Sequence, residues 1–458
     1  MKKYENYKSV ELEWLGSVPA HWEVKKLKHV VGLNSGDSIT AETIHPEGPY
    51  PVFGGNGLRG YTDSLTHEGH FVLIGRQGAL CGNINYAQGA FFASEHALVA
   101  TPKVEFATTW LGELLRSMNL GQYSQAAAQP GLSADRLQKL AIPVPPLPEQ
   151  RAIAAYLDHK TTQLDALLDQ KETLLQLLQQ KRQALINEAL TQGLDPGAPR
   201  KPSGVAWLGD VPAHWEVKRL KHLLSNDKYA IKTGPFGSQL KADDLSDDGE
   251  IKVVTQRNVL DNDFEKGLSF VSEEKFESLK SFLIDAGDIL FTTRGTIGKA
   301  AVMPLLSERA ILHPCLIKAT INHDLLSQEW LLAFVNDSSY FVEGVKMESN
   351  STVIDVIYSG TLKEVVLPIP SLEEQKQIML ELHKKSNILD EATAAILTQI
   401  KTLKAYRQSL ILEVVTGKVD VRTEAKALAG TASTPSPTRQ ASQPAPARPV
   451  AVGQLGLF

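Results

Sequence analysis

The chain has 458 residues, 47 lysines plus arginines against 52 aspartates plus glutamates, a net charge of -5 and 43% hydrophobic residues. That length carries two or three domains, and the composition is that of an ordinary globular chain rather than a peptide scaffold, a mostly disordered chain or a membrane protein. The two cysteines, Cys81 and Cys315, exclude a disulfide framework and a four-cysteine metal site and are read as buried free thiols. No apolar run approaches the roughly 18 to 20 residues of a spanning helix, and no apolar stretch follows the charged N-terminus, so a cytoplasmic protein is expected.

In chain order, residues 14–29 read WLGSVPAHWEVKKLKH and return at 207–222 as WLGDVPAHWEVKRLKH, identical at fourteen of sixteen positions. An internal repeat of that quality governs the architecture. After the first copy, short β-type runs such as 71–74 and 97–100 alternate with Gly, Asn and Asp turns. Residues 143–151, PVPPLPEQR, come back as PIPSLEEQK at 368–376. They open two Pro- and Gly-free stretches, 149–190 and 374–415, with leucine or isoleucine at 153, 157, 164, 167, 174, 178 and 185 in the first. Displaced by 225, the second has Ile378, Leu382, Leu389, Ala392, Gln399, Leu403 and Leu410. This heptad-like stripe predicts two matched long helices, each about 60 Å long at 1.5 Å per residue. Pro148 suits a first helical turn, and Glu149, Glu373 and Glu374 complement the positive helix end.

The ends of each half repeat and the middles do not. The second middle has β-type runs at 251–254 and 289–292. The fold class expected is α+β: two mixed α/β domains, 1–145 and 207–370, each followed by a long helix, 146–192 and 371–416. The helices are expected to pack as an antiparallel coiled coil about a pseudo-twofold axis. Residues 193–206, with three prolines, read as a linker, and 423–458, rich in Ala, Pro, Ser and Thr, as a disordered tail.

Several local patterns suggest chemistry. Phe53-Gly-Gly-Asn-Gly57 fits the F-x-G-x-G pattern of S-adenosylmethionine-dependent methyltransferases, but a turn-like stretch follows and the one Pro-Pro pair, Pro145-Pro146, is not part of a catalytic tetrad. Asp248, Glu250 and Lys252 have the residue types of a Mg²⁺ nuclease, yet Glu-x-Lys also occurs at Glu23 and Glu216. Gly295 to Lys299 lacks the glycine spacing and the Ser or Thr of a phosphate loop. His21, His29, His214 and His222 have no neighbouring ligand cluster, and His313-Pro-Cys315 lacks the remaining ligands of a zinc site. No metal is expected.

The doubled W-L-G-x-V-P-x-H-W-E-V segment, the P-x-P-x-L-x-E-Q-x-x-I helix entrance and G-P-F-G-S at 234–238 resemble the specificity subunit of type I restriction-modification systems. Residues 50–57 with 74–78, and 287–299, are similar to segments of that family's target-recognition domains, so the resemblance spans roughly residues 7–420. It implies a non-catalytic subunit whose two target-recognition domains read the two halves of an asymmetric bipartite site in double-stranded DNA, with the helices setting the unread spacer. It also implies two methylase subunits that use S-adenosylmethionine, motor-nuclease subunits that use ATP and Mg²⁺, and no cofactor on this chain. The alternatives are a tandem-duplicated DNA-modifying enzyme, methyltransferase or nuclease, and a scaffold with no DNA role.

For DNA reading, Arg, Lys, Asn and Gln match base edges or hold phosphates, and glycine-flanked loops let them approach the duplex. The candidates are Asn56, Arg59, Arg76 and Gln77 in the first domain and Gln239, Lys241, Arg257, Asn258, Arg294 and Lys299 in the second. Trp14, Trp22, Trp207 and Trp215 are read as core residues or as part of a surface that meets a methylase subunit. The terminal Gln454-Leu455-Gly456-Leu457-Phe458 resembles the peptide that binds bacterial sliding clamps, carried on a disordered tether.

Overall fold

The computed structural model describes residues 2–12, 14–78, 80–124, 131–236, 238–267, 269–349 and 356–431. They form two compact units: residues up to Glu172 with those from Leu397 onward, and Thr173–Ile396.

In the first unit, β1 (Tyr7–Leu12) and β2 (Leu15–Pro19) make an antiparallel hairpin, and β3 (Glu23–Lys26) follows. Next come β4 (Val31–Ser35), β5 (Tyr50–Gly54), β6 (Gly57–Thr62), β7 (His67–Gly75), β8 (Ile84–Ala93) and β9 (Ala97–Pro102). These six build one sheet in the order β4-β9-β7-β8-β5-β6, antiparallel except between β5 and β8. Its strands alternate between two buried faces, as a period of two requires. Val72, Ile74, Leu98 and Ala100 face the core around Trp110, Leu111, Leu114 and Leu115 of α1 (Thr108–Ser117), whereas Leu73, Phe91 and Val99 form a smaller cluster. After α2 (Ala134–Gln138), β10 (Ala141–Val144) returns to pair with β3, Val144 opposite Glu23, and α3 (Leu147–Gln192) begins.

The second unit repeats this plan. β11 (Arg200–Pro202) pairs with β12 (Asp210–Pro212), and β13 (Glu216–Arg219) follows. The insert contains β14 (Ile231–Thr233), β15 (Ile251–Val254), α4 (Gln256–Asp261), β16 (Phe270–Val271), α5 (Glu273–Leu279), β17 (Leu283–Ile284), β18 (Ile289–Thr292), β19 (Ala300–Val302), β20 (Arg309–Leu312) and β21 (Leu316–Ala319). They make two four-stranded sheets, β14-β21-β18-β19 and β16-β15-β20-β17. α6 (Gln328–Leu332), α7 (Tyr340–Ser349) and α8 (Ser359–Glu364) then lead to β22 (Val366–Ile369), which closes on β13 just before α9 (Leu372–Val415); α10 (Arg422–Thr431) ends the described chain. The antiparallel order β14-β21-β18-β19 is that of β4-β9-β7-β8, so half of each middle repeats in backbone although its sequence does not.

Each long helix is tied to its unit by the doubled segments. Trp22 Nε1 donates to Glu149 Oε1 at 3.0 Å in the first turn of α3, and Trp215 Nε1 donates to Glu374 Oε1 at 2.9 Å in the first turn of α9. His21 and His214 lie on the same carboxylates at 2.8 and 3.0 Å, and Tyr4 adds a third donor to Glu149. Burial and the Glu149 carboxylate push the Tyr4 hydroxyl far above its ordinary value, so it stays a protonated donor. The neighbouring glutamines repeat the pattern. Gln150 accepts from Ala107 N and donates to Pro145 O, while Gln375 accepts from Ser327 N and donates to Pro370 O. Trp22 and Trp215 also close on the glycines that follow the opposite helices. A Cβ on Gly417 would lie 3.0 Å from the Trp22 ring, and one on Gly193 3.1 Å from the Trp215 ring; both glycines have positive φ, the left-handed conformation that ends helices.

The helices pair antiparallel within each unit. In the first, Arg407 bonds Asp165 at 2.8 Å and Lys404 meets Glu172 at 3.3 Å; in the second, Arg182 meets Asp390 at 3.7 Å. The least exposed seam of α3 runs through Thr161, Leu164, Leu168, Lys171, Leu175, Leu178, Arg182, Leu185 and Ala189 at alternating three- and four-residue steps. Leu167 and Leu174, expected in the stripe, are exposed because that spacing selects their neighbours, and Gln399 of α9 is exposed for the same reason.

Four further expectations are corrected. Part of the supposed linker is β11, paired as β1 is. The start of the supposed tail, 423–431, belongs to the helix Arg422–Thr431, because Val421, Ala425 and Leu428 pack on the first core. Cys81 and Cys315 are only half-buried, both lying at strand-end loops. Trp22 and Trp215, 0% exposed, offer no surface to a partner; Trp14 and Trp207 are half-buried at the edges of the two cores. Gln454, Leu455, Leu457 and Phe458 lie outside the described residues. Replacing Trp22 by Phe keeps an aromatic ring but removes the donor to a 5%-exposed carboxylate and part of the buried volume, so chemical denaturation is expected to show a loss of at least about 1–3 kcal/mol.

Candidate nucleic-acid interface

In each unit three loops meet at one end of the repeated half-sheet, and matching backbone bonds put them in register. Gly36 N donates to Ala97 O and Gly234 N to Leu316 O, at 3.1 and 2.9 Å. Arg76 N donates to His96 O and Thr293 N to Cys315 O, while Leu132 N donates to Arg76 O and Ile357 N to Thr293 O. Gly75 N bonds Asn83 O, and Thr292 N bonds Lys299 O. The equivalent pairs are therefore Gly36 with Gly234, Arg76 with Thr293, Gln77 with Arg294 and Asn83 with Lys299. Three of these pairs bring a candidate of one unit onto a backbone position that carries a different polar side chain in the other.

Close backbone approach explains the glycines here. A Cβ on Gly75 would lie 2.2 Å from Gly55 O, so the β5–β6 turn can sit against the β7–β8 loop only if position 75 has no side chain. That turn exposes Asn56, whose Oδ1 accepts from Asn83 Nδ2 at 3.1 Å. Arg76 is half-buried and donates to Ser35 Oγ at 2.7 Å, and Gln77 Oε1 is 3.0 Å from His96 Nδ1. Arg59 is exposed on β6, and among the described residues its guanidinium has no hydrogen bond or ion pair. Asn85 Nδ2, Ser94 Oγ and Glu95 Oε2 are buried without a hydrogen-bond partner among the described residues. Asn85 and Ser94 border this same turn, which marks unmet polar capacity beneath the loops.

In the second unit Arg294 is exposed and its guanidinium is likewise unpaired among the described residues; its carbonyl accepts from Gln256 Nε2 at 2.7 Å. Lys299 reaches back to Asn336 O at 2.8 Å, and Gln239 Oε1 accepts from Phe236 N at 3.0 Å. The Lys241 backbone N–H donates to Asp244, which Lys275 and that bond hold below the usual carboxylate range. Arg257 is 79% exposed and 3.4 Å from Asp261, whose carboxylate Lys266 holds ionised first and Arg257 second. Asn258 cannot read a base. It is 5% exposed, accepts from Thr255 N and Oγ1, and donates to Asp263 O and Lys266 O, so its amide is spent capping α4. Burial pushes the His313 imidazole below its ordinary value, keeping it neutral, and its Nδ1 accepts from Cys315 N beneath these loops.

The enzyme-like patterns find no supporting context. Phe53 to Gly57 is a turn between two strands, with β6 where a cofactor fold places a helix. Lys252 is buried in β15, bonded to Glu265 O and 3.8 Å from Glu308. Gly295 to Lys299 joins two strands. No group of three or more His, Cys, Asp or Glu side chains suited to a metal occurs among the described residues, and no helix there is long and apolar enough to cross a membrane.

The model of the type I restriction modification DNA specificity domain matches residues 19–178 and 212–402, one match per half. The chain belongs to this specificity family. It is 38% identical over 172 residues to the EcoprrI specificity subunit of Escherichia coli, a match covering 37% of this chain and 43% of that protein. It is 26% identical to a putative type I restriction enzyme specificity subunit of Haemophilus influenzae over 85% of this chain and 95% of the other. Among solved structures, a chain from a study of complex assembly in a type I restriction-modification system aligns at TM-score 0.64 and 18% identity, covering 88% of this chain and 99% of its own. The HsdS subunit of Thermoanaerobacter tengcongensis aligns at TM-score 0.51 and 17% identity over 88% of this chain and 98% of that one. Both share the fold of two α/β units with long helices.

Sequence reading missed Trp110 and Trp330, both 0% exposed, each followed by Leu and each at the centre of its core. They were a third visible repeat. It also passed over Phe236, whose exposure is a property of the loop and has no signal in residue type. In this specificity fold Gly75→Ala must force the β5–β6 turn off the β7–β8 loop. It is expected to lower stability by about 1–3 kcal/mol, whereas Gly360→Ala in α8, where a Cβ meets nothing within 4 Å, is expected to leave the melting temperature unchanged or slightly raised.

Proposed function

We propose that this chain reads the two unlike halves of a bipartite site in double-stranded DNA, one half with each unit, and performs no chemistry itself. The observation that carries the reading is the register between units: one backbone end, built twice, presents Gln77 and Asn83 in the first and Arg294 and Lys299 in the second. Gln matches an adenine edge and Arg a guanine edge, so the same scaffold suits different bases. Asn56, Arg76, Gln239 and Lys241 stand in loops, Arg59 on β6 and Arg257 on α4, and the cations among them suit phosphates and set orientation.

A reader without its own catalytic centre requires partners. Two methylase subunits using S-adenosylmethionine, and motor-nuclease subunits using ATP and Mg²⁺, are the partners this reading assigns, and all three cofactors lie with them. The half-buried Trp14 and Trp207, at equivalent edges, suit two copies of one partner. The reading places the complex in the cytoplasm and gives the terminal Gln454-Leu455-Gly456-Leu457-Phe458 to a sliding clamp.

The test is methylation sequencing of DNA from cells that express the chain with its neighbouring methylase, beside cells lacking the chain. A split motif, two short unlike halves around a fixed gap, is expected only when the chain is present. Methylation at the same positions without the chain would overturn the reading and favour a modifying enzyme or a scaffold.

A further inference from the structure

The loop after β14 exposes Phe236, 77% accessible. Its backbone is held firmly while its ring is not. Gly234 abuts His313 O so closely that a Cβ would lie 2.1 Å away, and Pro235 fixes its own φ. Phe236 N donates to Gln239 Oε1, and Phe236 O accepts from Gln239 N and Leu240 N. The segment from His313 to Leu316 that anchors Gly234 also receives Thr293 N, beside Arg294. Ring and guanidinium therefore rise from loops fixed on one strand end.

On its own loop the ring stands with exposed Ser238, Gln239 and Lys241 rather than in an apolar patch. Protein interfaces bury apolar side chains in a contiguous centre, whereas a single rigid ring flanked by amides and cations is the composition of side chains that enter DNA between base pairs. Counting two residues on from the matched glycines, the first unit carries Ser38 at the equivalent position.

We propose that Phe236 is a wedge that partly unstacks one base step in the half-site read by the second unit, and that the first unit, with Ser38 there, leaves its half-site stacked. The inference rests on the DNA reading above and adds a distortion confined to one half. Phe236 is thus a positioning residue, fixing where the duplex bends against the Arg294 loop.

The test uses the full chain with its methylase on a duplex carrying the mapped site, with 2-aminopurine placed in turn at steps of both halves other than the methylated adenines. Wild type is expected to raise the fluorescence at one step of the second half and none of the first. Phe236→Ala is expected to abolish that signal and weaken binding by about ten-fold, with an unchanged salt slope because no charge is lost. Phe236→Leu should retain part of both, and an abasic residue at the same step should restore binding by Phe236→Ala, since the unstacking is then already done. Equal fluorescence and affinity for wild type and Phe236→Ala would overturn the wedge while leaving the reader intact. So would loss of methylase binding with unchanged DNA behaviour, which would make the ring a protein contact. A wild-type complex with no site preference would remove the reader and the wedge together.

Discussion

A buried tryptophan N–H that donates to the first-turn glutamate of a long helix ties each globular unit to its rod, and the chain makes this bond twice. The bond sits where three requirements coincide. The helix N-terminus favours a carboxylate, a buried carboxylate needs donors, and the tryptophan needs an acceptor for its one polar atom. Glu149 satisfies all three; Glu374 makes the same bond with its side chain 27% exposed, and His21 and His214 lie on the second oxygens. The ring face then closes on the glycine after the other helix, Gly417 or Gly193. Both the beginning of one rod and the end of the other are thereby fixed to the same side chain within each unit.

This clasp leaves the inserts free to differ. β3 with β10, and β13 with β22, close each insert at its base, and the four-stranded half-sheet beyond them needs only apolar residues at alternating positions. Many sequences meet that requirement, which is why β4-β9-β7-β8 and β14-β21-β18-β19 share an order although the two inserts differ in sequence. The loops at the far end inherit a common backbone register from the half-sheet and carry unlike side chains. A scaffold of this kind can vary the side chains at this end without disturbing stability, because Gln77 and Arg294 are exposed and belong to neither core.

The repeat of 14–29 and 207–222, the two helix entrances and the helix lengths were legible because they rest on identity, on proline and glycine, and on periodicity. Spacing alone placed Leu167 and Leu174 one residue off the least exposed seam through Leu168 and Leu175, a shift that depends on the partner helix. Asn258 has the residue type of a base reader, but Thr255 three residues earlier makes it a helix-capping amide, a signal that local sequence contains. The exposure of Phe236 and the pairing of Gln77 with Arg294 were not legible. They follow from which backbone groups bond across the sheet end, and that is decided by tertiary packing.

If each unit reads one half of the site, removing one matched side chain from each must affect different halves. The direct measurement is motif mapping by methylation sequencing for complexes of Gln77→Ala and, separately, Arg294→Ala. Relaxed preference at a position in one half for the first variant and in the other half for the second, with the gap between halves unchanged, is the expected result. Relaxation in the same half for both, or an unaltered motif in both, would contradict the account.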